Sequence, residues 1–426
     1  MAGFSRIGLV EGFYGRIWTV MERERLIAAL APFGLNTYLY CPKQEPALGA
    51  ELMRPLSHEE AGRLSGIADY CHEHRVALWA GLHLEPPFNV SDGEHIEAAA
   101  QKCLALWNMG FTGFCVQFDD LASAFDPASD YGDSLAGMQG HGVAEIFGRA
   151  AALGVRGEWL AVPALYSQDA LLQNTYGPFE PDYLALLDAR LPPEVAWMYT
   201  GPQVCSSTVT PGDVRDWQGK SSRRVVLWDN YPVNDAAMVN SLHLSPLTGR
   251  APDLPSAVMG YLFNPLLQAE LGSVTGATCI SYAGDPAGYD PAQAWEKALA
   301  ELLPEAARQP FRELEALTRQ CCLAEFLPDK TFGGDGPLAA RLERSWEAMK
   351  GGGKGDAAAL RALGDMLNAL DEELPAPMHE GVRPWLLRLR QAYTVFASRA
   401  KSANWSSSAS SYRQGKAWVL GEWFSP

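Results

Sequence analysis

The sequence is short of positive charge. Its 426 residues contain 34 lysines and arginines against 50 aspartates and glutamates, which gives a formal net charge of −16. Nucleic acids and anionic membranes both select proteins with a basic surface. The charge balance therefore argues against either as the main partner, and we expect no nucleic-acid partner and no membrane partner.

The sequence also lacks the cysteine and histidine patterns of metal and redox sites. Its eight cysteines include no C-x-x-C pair and no cluster with histidine at zinc-ligand spacing. Most of them lie inside apolar runs, as small core residues do. This usage favours a reducing compartment over a secreted one, so we expect a cytoplasmic location.

Long hydrophobic runs are absent as well. No apolar stretch approaches the ~18 residues that a membrane-spanning helix needs. The N-terminal stretch MAGFSRIGLVEGFYG has no apolar signal core behind basic residues and enters a predicted strand within a few positions. We therefore expect neither a membrane span nor a leader, although a leader removed beforehand would leave the same pattern.

The first 285 residues contain a unit that recurs eight times. In each unit an apolar, β-rich run ends in glycine, proline or polar residues, and a helical pattern follows several of the runs. Continuous apolar strands that alternate with helices are typical of a parallel sheet covered on both faces. The eight runs occupy residues 6–15, 36–43, 76–86, 113–120, 158–166, 195–202, 224–230 and 258–265.

Eight such units predict an α/β fold, a (β/α)8 TIM barrel over residues 1–285. A doubly wound open sheet is the alternative, but no G-x-G-x-x-G motif follows the first strand. The helix predicted at 19–34 has Thr19 as its N-cap and Gly34 as its stop signal. Helices of the same form are predicted at 58–75 and 93–110.

After residue 285 the pattern becomes helical, and we predict a small all-helical domain over 286–426. It consists of a bundle to residue 403 and a serine-rich tail whose apolar end, including Trp418 and Trp423, should dock on the protein. Pro304 and Pro310 should interrupt the first helical segment. Apolar residues recur at helical spacing in four segments: 291–327, 336–350, 355–374 and 380–402.

Two adjacent carboxylates, Asp119 and Asp120, end the apolar run GFCVQFDD (113–120). Like charges this close repel, so the pKa of one carboxyl should rise. Three uses of the pair are open. It can cap a helix and carry a solvated acid, bind a hard cation together with Asp229 and Asp235, or do acid–base chemistry on a glycoside.

The glycoside interpretation has a geometric consequence. Active sites of (β/α)8 barrels lie at the C-terminal ends of the strands. A retaining glycosidase with a protein nucleophile holds its carboxyls ~5–5.5 Å apart, usually on different strands, and adjacent residues cannot easily flank a sugar from opposite sides. Adjacent carboxyls suit substrate-assisted catalysis, in which the sugar's own 2-acetamido oxygen attacks the anomeric carbon.

Six stretches carry family information: GLVEGFYGRIW (8–18), FGLNTYLYCPK (33–43), FDD (118–120), YTGP (199–202), LWDNYPVND (227–235) and FNP (263–265). Taken together, and in this order, they resemble glycoside hydrolase family 84, the β-N-acetylglucosaminidases that include protein O-GlcNAcases. The resemblance covers residues 6–265 and implies a (β/α)8 catalytic domain, a helical C-terminal region and no need for a metal or cofactor.

The resemblance also assigns roles to individual residues. Asp119 matches the aspartate that accepts a hydrogen bond from the acetamido N–H. Asp120 matches the general acid that protonates the leaving oxygen and then acts as the base toward water. The implied sugar contacts are ring-hydroxyl contacts from Gly12 and Lys43, a phenol in the acetamido pocket from Tyr166, an apolar wall from Trp228, and further polar contacts from Asn230, Asp235 and Asn264.

The sequence departs from the family in two places. After Lys43 the family often has an Asp-Asp pair and a nearby His-Arg, whereas QEPALGAELMRP (44–55) follows here, so rim contacts to the aglycone do not carry over. The stretch AVPALYS (161–167) matches loosely. Trp228 also fits a plain core position, and Asn264 fits a turn before Pro265.

The sequence therefore predicts a retaining exo-β-N-acetylglucosaminidase that acts through an oxazoline intermediate. Its substrate would be a GlcNAc-bearing glycoside, glycopeptide or glycoprotein, with O-GlcNAc on Ser or Thr as one candidate. An endo-acting hyaluronidase-type enzyme and a non-catalytic sugar-binding barrel stay open, although the intact aspartate pair counts against the second. A homodimer formed through the helical domain also stays open.

Overall fold

The computed structural model describes residues 3–121, 134–318, 336–350 and 353–401. Eight parallel strands form a closed barrel in sequence order, with the last strand paired to the first. The predicted (β/α)8 barrel is confirmed, and the open-sheet alternative is wrong. The strands are β1 (Arg6–Glu11), β2 (Thr37–Tyr40), β3 (Ala77–His83), β4 (Gly113–Gln117), β5 (Glu158–Val162), β6 (Val195–Tyr199), β7 (Val225–Asp229) and β8 (Gly260–Phe263).

The barrel interior is filled by side chains from all eight strands. Because successive strand residues point to opposite faces, every second residue faces the barrel axis. Leu39, Trp79 and Cys115 belong to the resulting buried cluster. Helices cover the outer face, so the strands are apolar on both faces, which explains the continuous apolar runs of the sequence.

Helices follow most of the strands in the barrel part of the chain. The first begins as predicted, because the Thr19 side chain accepts from the backbone N–H of Glu22 in a capping box. The chain leaves its short 3-10 extension at Gly34, whose φ of +110° favours glycine. The helices are α1 (Val20–Leu30), α2 (His58–Glu73), α3 (Gly93–Asn108), α4 (Leu135–Ala152), α5 (Ala170–Tyr176), α6 (Tyr183–Asp188) and α7 (Pro211–Gln218).

The chain divides into two compact units. The first consists of Met1–Tyr231, Leu247–Pro265 and Cys279–Asp290 and contains the barrel; the second consists of Pro232–Pro246, Leu266–Thr278 and Pro291–Pro426. The division lies at residue 290 instead of the predicted 285 and places two earlier segments in the second unit. The predicted domain limits, 1–285 and 286–426, themselves stay a prediction.

The predicted helical C-terminal region is present. Among the described residues, every helix is too short or too polar to span a membrane. Residues 319–327 of the predicted helical segment 291–327 and the tail with Trp418 and Trp423 lie outside the described residues. The remaining helices are α8 (Ser273–Gly284), α9 (Pro291–Leu302), α10 (Glu305–Thr318), α11 (Pro337–Lys350), α12 (Ala357–Glu373) and α13 (Ala376–Lys401).

The two prolines predicted to interrupt the first C-terminal helix behave differently. Pro304 lies in the break between α9 and α10, as predicted, whereas Pro310 lies inside α10. The prediction for Pro310 was wrong. Its ring removes the helical donor for the carbonyl of Ala306, but Ala306 is exposed, so water can satisfy that carbonyl.

A buried ion pair ties α1 to the first two strands. Glu11 ends β1 and is fully buried. Arg23 of α1 donates from Nε and Nη2 to its two carboxylate oxygens at 2.8 and 2.7 Å, and the Tyr38 hydroxyl of β2 donates to the same group. Because all three groups are out of water, loss of one leaves its partners uncompensated.

We predict that Arg23→Met destabilises the barrel strongly. Breaking a buried pair by removing one partner typically costs about 3–5 kcal/mol, because the remaining carboxylate has no counter-charge. The free energy of unfolding from urea denaturation is the measurement. Arg16→Met is the matched control: Arg16 is 45% exposed and pairs with Glu22, so its loss should cost under about 1 kcal/mol. Equal effects from the two variants would contradict the prediction.

Candidate active site

Asp119 and Lys43 form a buried ion pair at the C-terminal end of the barrel. Asp119 lies two residues beyond the end of β4 and is 7% exposed. Its Oδ2 accepts from the Lys43 ammonium, whose side chain is 2% exposed. Burial alone would raise the pKa of Asp119, but the charge of Lys43, with a contribution from His83, holds that pKa below its usual range.

The same contact keeps Lys43 charged. Burial would lower the pKa of its ammonium, yet the Asp119 carboxylate outweighs burial and raises it. The other oxygen of Asp119, Oδ1, is buried and has no hydrogen-bond donor among the described residues. Buried carboxylate oxygens are nearly always hydrogen-bonded. Asp119 is therefore an ionised acceptor with one oxygen available to an N–H or O–H of a ligand.

Asp120 points its carboxylate to a different set of partners. Its φ of +60° is in the left-handed region, which redirects the chain immediately after Asp119. The Tyr14 hydroxyl donates to Oδ2 at 2.9 Å and the Tyr166 hydroxyl donates to Oδ1 at 2.8 Å. Tyr176, at the end of α5, also interacts with Asp120. The two adjacent carboxylates are thus held in separate environments, one by an ammonium and the other by phenols.

The phenols around Asp120 stay protonated. Burial, followed by the charge of Asp120, raises the pKa of Tyr14 and Tyr166 well above the ordinary value and raises the pKa of Tyr176 to about 12. At neutral pH these hydroxyls are therefore donors to the carboxylate. Asp120 is half-buried and so remains within reach of a ligand at the barrel mouth.

An aromatic wall stands opposite the ion pair. A Cβ added to Gly12 would lie 2.0 Å from Cζ2 of Trp228, so only glycine leaves room for this ring. Trp228 Nε1 donates to Asn230 Oδ1 at 2.9 Å, and Asn264 Nδ2 donates to the same oxygen at 3.0 Å. The Lys43 ammonium lies 5.7 Å from the Trp228 ring centroid. These contacts join the wall to the charged pair.

The structure therefore brings eight of the predicted site residues into one connected group in the first unit. The contact of Asn264 leaves its Oδ1 buried without a donor among the described residues. Trp228 fits both of its interpretations, since it lines the site and also belongs to the barrel core. The eight residues are Gly12, Lys43, Asp119, Asp120, Tyr166, Trp228, Asn230 and Asn264.

Asp235 and Tyr166 make contacts other than those predicted for a sugar. Asp235 belongs to the second unit, where its carbonyl accepts from the Met238 N–H at 2.8 Å; its contact to the sugar stays a prediction. Tyr166 was expected in the acetamido pocket. In the structure its hydroxyl donates to Asp120, so an acetamido contact requires the hydroxyl to exchange one acceptor for the other.

The alternative of a cation site finds no support in the described residues. No group of three or more His, Cys, Asp or Glu among them is arranged to hold a metal ion. Asp229, one of the candidate ligands, is buried and accepts from Arg250 at 2.6 and 2.7 Å and from the Tyr261 hydroxyl at 2.7 Å. Its carboxylate is part of a structural ion pair.

Sequence reasoning missed two residues near the aspartates. No site residue was predicted in the run VALWAGLHLEP (76–86). His83 shares the inward face of β3 with Trp79. Its Nε2 lies 3.2 Å from the carbonyl oxygen of Asp119. Strand periodicity could have found it. Tyr176 lies in a helix after β5, and no pattern in the sequence placed it beside Asp120.

Comparison with known proteins agrees with this geometry. Residues 7–316 match the family model described as β-N-acetylglucosaminidase, so the chain belongs to the β-N-acetylglucosaminidase family, a family of glycoside hydrolases. The resemblance to glycoside hydrolase family 84 is confirmed.

Protein O-GlcNAcases of mouse and rat are each 27% identical over 276 residues, 65% of this chain. The chain spans only 29% of the length of these relatives.

A solved structure shares the fold. A mutant of the O-GlcNAc hydrolase of Thermobaculum terrenum superposes with a TM-score of 0.76, covering 92% of this chain and 83% of that one. Its sequence identity to this chain is 23%. At that identity the similarity shows that the two chains share the barrel and the helical region.

We predict that Lys43→Met raises the pKa of the Asp119 carboxyl. Without the ammonium, burial is the dominant influence, and burial favours the neutral acid. The protonation step of Asp119 should therefore move to higher pH, as measured by ¹³C NMR of labelled aspartate carboxyls. Lys102→Met is the control, because Lys102 is also buried but donates to the carbonyls of Ala47 and Arg54. An unchanged titration of Asp119 in Lys43→Met would refute this electrostatic account.

Proposed function

We propose that this protein is a retaining exo-β-N-acetylglucosaminidase that removes terminal β-linked GlcNAc by substrate-assisted catalysis. The observation that carries the proposal is the buried Asp119, held ionised by Lys43, whose Oδ1 has no hydrogen-bond donor among the described residues. Such an oxygen suits the N–H of a 2-acetamido group, because a charged acceptor forms a strong, short hydrogen bond. In this proposal the carboxyl group of the next residue, Asp120, acts on the leaving group.

In the first step the acetamido oxygen attacks the anomeric carbon, and the bond to the leaving oxygen breaks. Asp119 accepts a hydrogen bond from the acetamido N–H. This contact orients the acetamido oxygen and stabilises the positive charge that develops on the nitrogen. Asp120, as the acid, gives its proton to the leaving oxygen, and the phenol of Tyr166 supports the carboxylate that remains. The product of this step is a protonated oxazoline (an oxazolinium ion) fused to the sugar, whose N–H stays hydrogen-bonded to Asp119.

In the second step water attacks the anomeric carbon from the face that the leaving group vacated. Asp120 now takes a proton from that water, and the acetamido group is restored as the carbon–oxygen bond of the oxazoline breaks. Two inversions at one carbon leave the β configuration unchanged. Asp120 is again protonated, and the cycle is balanced without a protein nucleophile.

The contacts of the other buried carboxylates support this division of labour. Asp229 is held by Arg250 and Tyr261, and Glu11 is held by Arg23 and Tyr38. A retaining mechanism with a protein nucleophile needs two carboxyls ~5–5.5 Å apart on either side of the bond. Adjacent aspartates in separate environments suit an acid beside an orienting anion.

We propose O-GlcNAc on Ser or Thr of proteins as the substrate class. The mouse and rat relatives are named as protein O-GlcNAcases. A serine or threonine alkoxide is a poor leaving group, so its departure depends on a positioned acid such as Asp120. A glycopeptide carrying one β-O-GlcNAc is the matching test substrate.

Substrates whose acetyl group carries one, two or three fluorine atoms test the mechanism. We expect 4-nitrophenyl β-GlcNAc to be hydrolysed and the matching β-glucoside, which has no acetamido group, to be left intact. Fluorine on the acetyl methyl withdraws electrons from the nucleophilic oxygen, so kcat/KM should fall steadily from acetyl to trifluoroacetyl. Each ~1.4 kcal/mol added to the barrier gives a tenfold loss.

Other outcomes of these assays point to the alternatives. A flat fluoroacetyl series, or a sugar trapped covalently on a side chain, would overturn the substrate-assisted mechanism. Cleavage at internal GlcNAc residues of hyaluronan would make the enzyme endo-acting. Saturable binding of GlcNAc with no hydrolysis of any substrate would make the chain a sugar-binding barrel.

We predict that the rate loss depends on the leaving group in Asp120→Asn and does not depend on it in Asp119→Asn. Loss of the acid should lower kcat/KM, which reports the first step, by about 10²–10⁴-fold for an aryl glycoside with a poor leaving group. It should spare kcat/KM for one with a very good leaving group, because only the poor leaving group needs protonation. Loss of the orienting anion should slow every substrate by a similar factor, because the acetamido oxygen attacks in all of them. A series of aryl β-GlcNAc substrates measures both, and identical slopes for the two variants would rule the assignment out.

A further inference from the structure

His83 is a buried imidazole that the proposed mechanism does not use. It ends β3 and is 8% exposed. Its Nε2 lies 3.2 Å from the backbone carbonyl oxygen of Asp119. Its Nδ1 is buried and has no hydrogen-bond partner in the described part of the chain. Within the described residues the ring therefore makes one hydrogen bond, and its partner is the backbone carbonyl between the two aspartates.

The contact determines the tautomer of the ring. A carbonyl oxygen can only accept, so Nε2 must carry the proton. Burial, helped by the charge of Lys43, lowers the pKa of His83 to about 4. The ring is then neutral at pH 7, with a bare Nδ1. A neutral ring donates a hydrogen bond without placing a second positive charge beside Lys43.

The accepting carbonyl belongs to the peptide unit that joins Asp119 to Asp120. Asp120 has a φ of +60°, a conformation that a non-glycine residue keeps only where surrounding contacts hold it. Rotation of this peptide would move both carboxylates, because one side chain precedes it and the other follows it. The hydrogen bond from His83 opposes that rotation.

We propose that His83 is a positioning residue for the aspartate pair. Its Nε2–H holds the Asp119–Asp120 peptide so that one carboxylate meets Lys43 and the other meets the tyrosines. The proposal rests on the proposed function, because it assigns His83 to the same reaction. His83 contacts no reacting atom and acts through the backbone.

The test compares two substitutions at this position. His83→Gln places an amide N–H where Nε2 lies and should keep kcat within about threefold, whereas His83→Leu removes the donor and should lower kcat by about tenfold, the factor for about 1.4 kcal/mol. The loss in His83→Leu should be larger for phenyl than for 4-nitrophenyl β-GlcNAc, because Asp120 is displaced as an acid. KM should change less than kcat.

A purely structural role would give a different result. It would lower the amount of folded protein and scale the rates for both substrates by one factor, and Gln would not rescue the rate. His243→Leu is the matched control: His243 is buried in the second unit, and its Nδ1 lies 3.0 Å from the carbonyl of Val233. Equal losses for His243→Leu and His83→Leu would overturn the proposal.

A measurement without substrate separates this proposal from the proposed function. In ¹⁵N-histidine NMR at pH 7 the His83 ring should be neutral and protonated at Nε2, and the ¹³C signal of the Asp119 carbonyl should shift in His83→Leu but not in His83→Gln. A ring protonated at Nδ1, or an Asp119 carbonyl indifferent to both substitutions, would overturn the role of His83. Failure of the wild-type protein to hydrolyse any β-GlcNAc substrate would instead refute the proposed function.

Discussion

The buried ion pair between Lys43 and Asp119 is the interaction on which the rest of the site depends. A carboxylate with 7% exposure would take up a proton if burial alone decided its charge. The ammonium keeps it ionised, and the carboxylate in return keeps the ammonium charged. Each group makes the burial of the other tolerable, so neither can be replaced independently. Oδ1 of Asp119, which has no donor in the part of the chain that the structure describes, keeps its acceptor strength because Oδ2 is matched to a positive charge.

The fold separates the adjacent carboxylates of Asp119 and Asp120 into two environments. Two adjacent carboxylates repel each other, and they would do so most strongly if they shared one environment. The left-handed backbone of Asp120 sends its side chain toward Tyr14 and Tyr166 while Asp119 stays with Lys43. The separation arises from local chain geometry at the end of one strand. The surrounding strands then supply the counter-charge to one residue and the phenols to the other.

Much of the fold and of the candidate site could be predicted from sequence patterns. The features that could not be predicted have physical causes. Apolar runs ending in polar residues predicted the eight strands, and the same runs placed Asp119 and Lys43 at the correct end of the barrel. Helix α4 was not predicted, because its four glycines disfavour a helix. Tertiary packing overrides that preference: a Cβ at Gly140 would lie 2.7 Å from Cβ of Arg190. The contact between Tyr176 and Asp120 depends on the path of a loop, which no periodicity encodes.

The left-handed conformation of Asp120 limits what evolution or design can place there. Asparagine and aspartate adopt this region more readily than other side chains with a Cβ. Asparagine at position 120 would keep the turn, and the oxygen of Tyr14 or Tyr166 could accept from its amide as easily as it now donates. The negative charge at this turn can therefore be removed by a single substitution, Asp120→Asn, with little backbone strain.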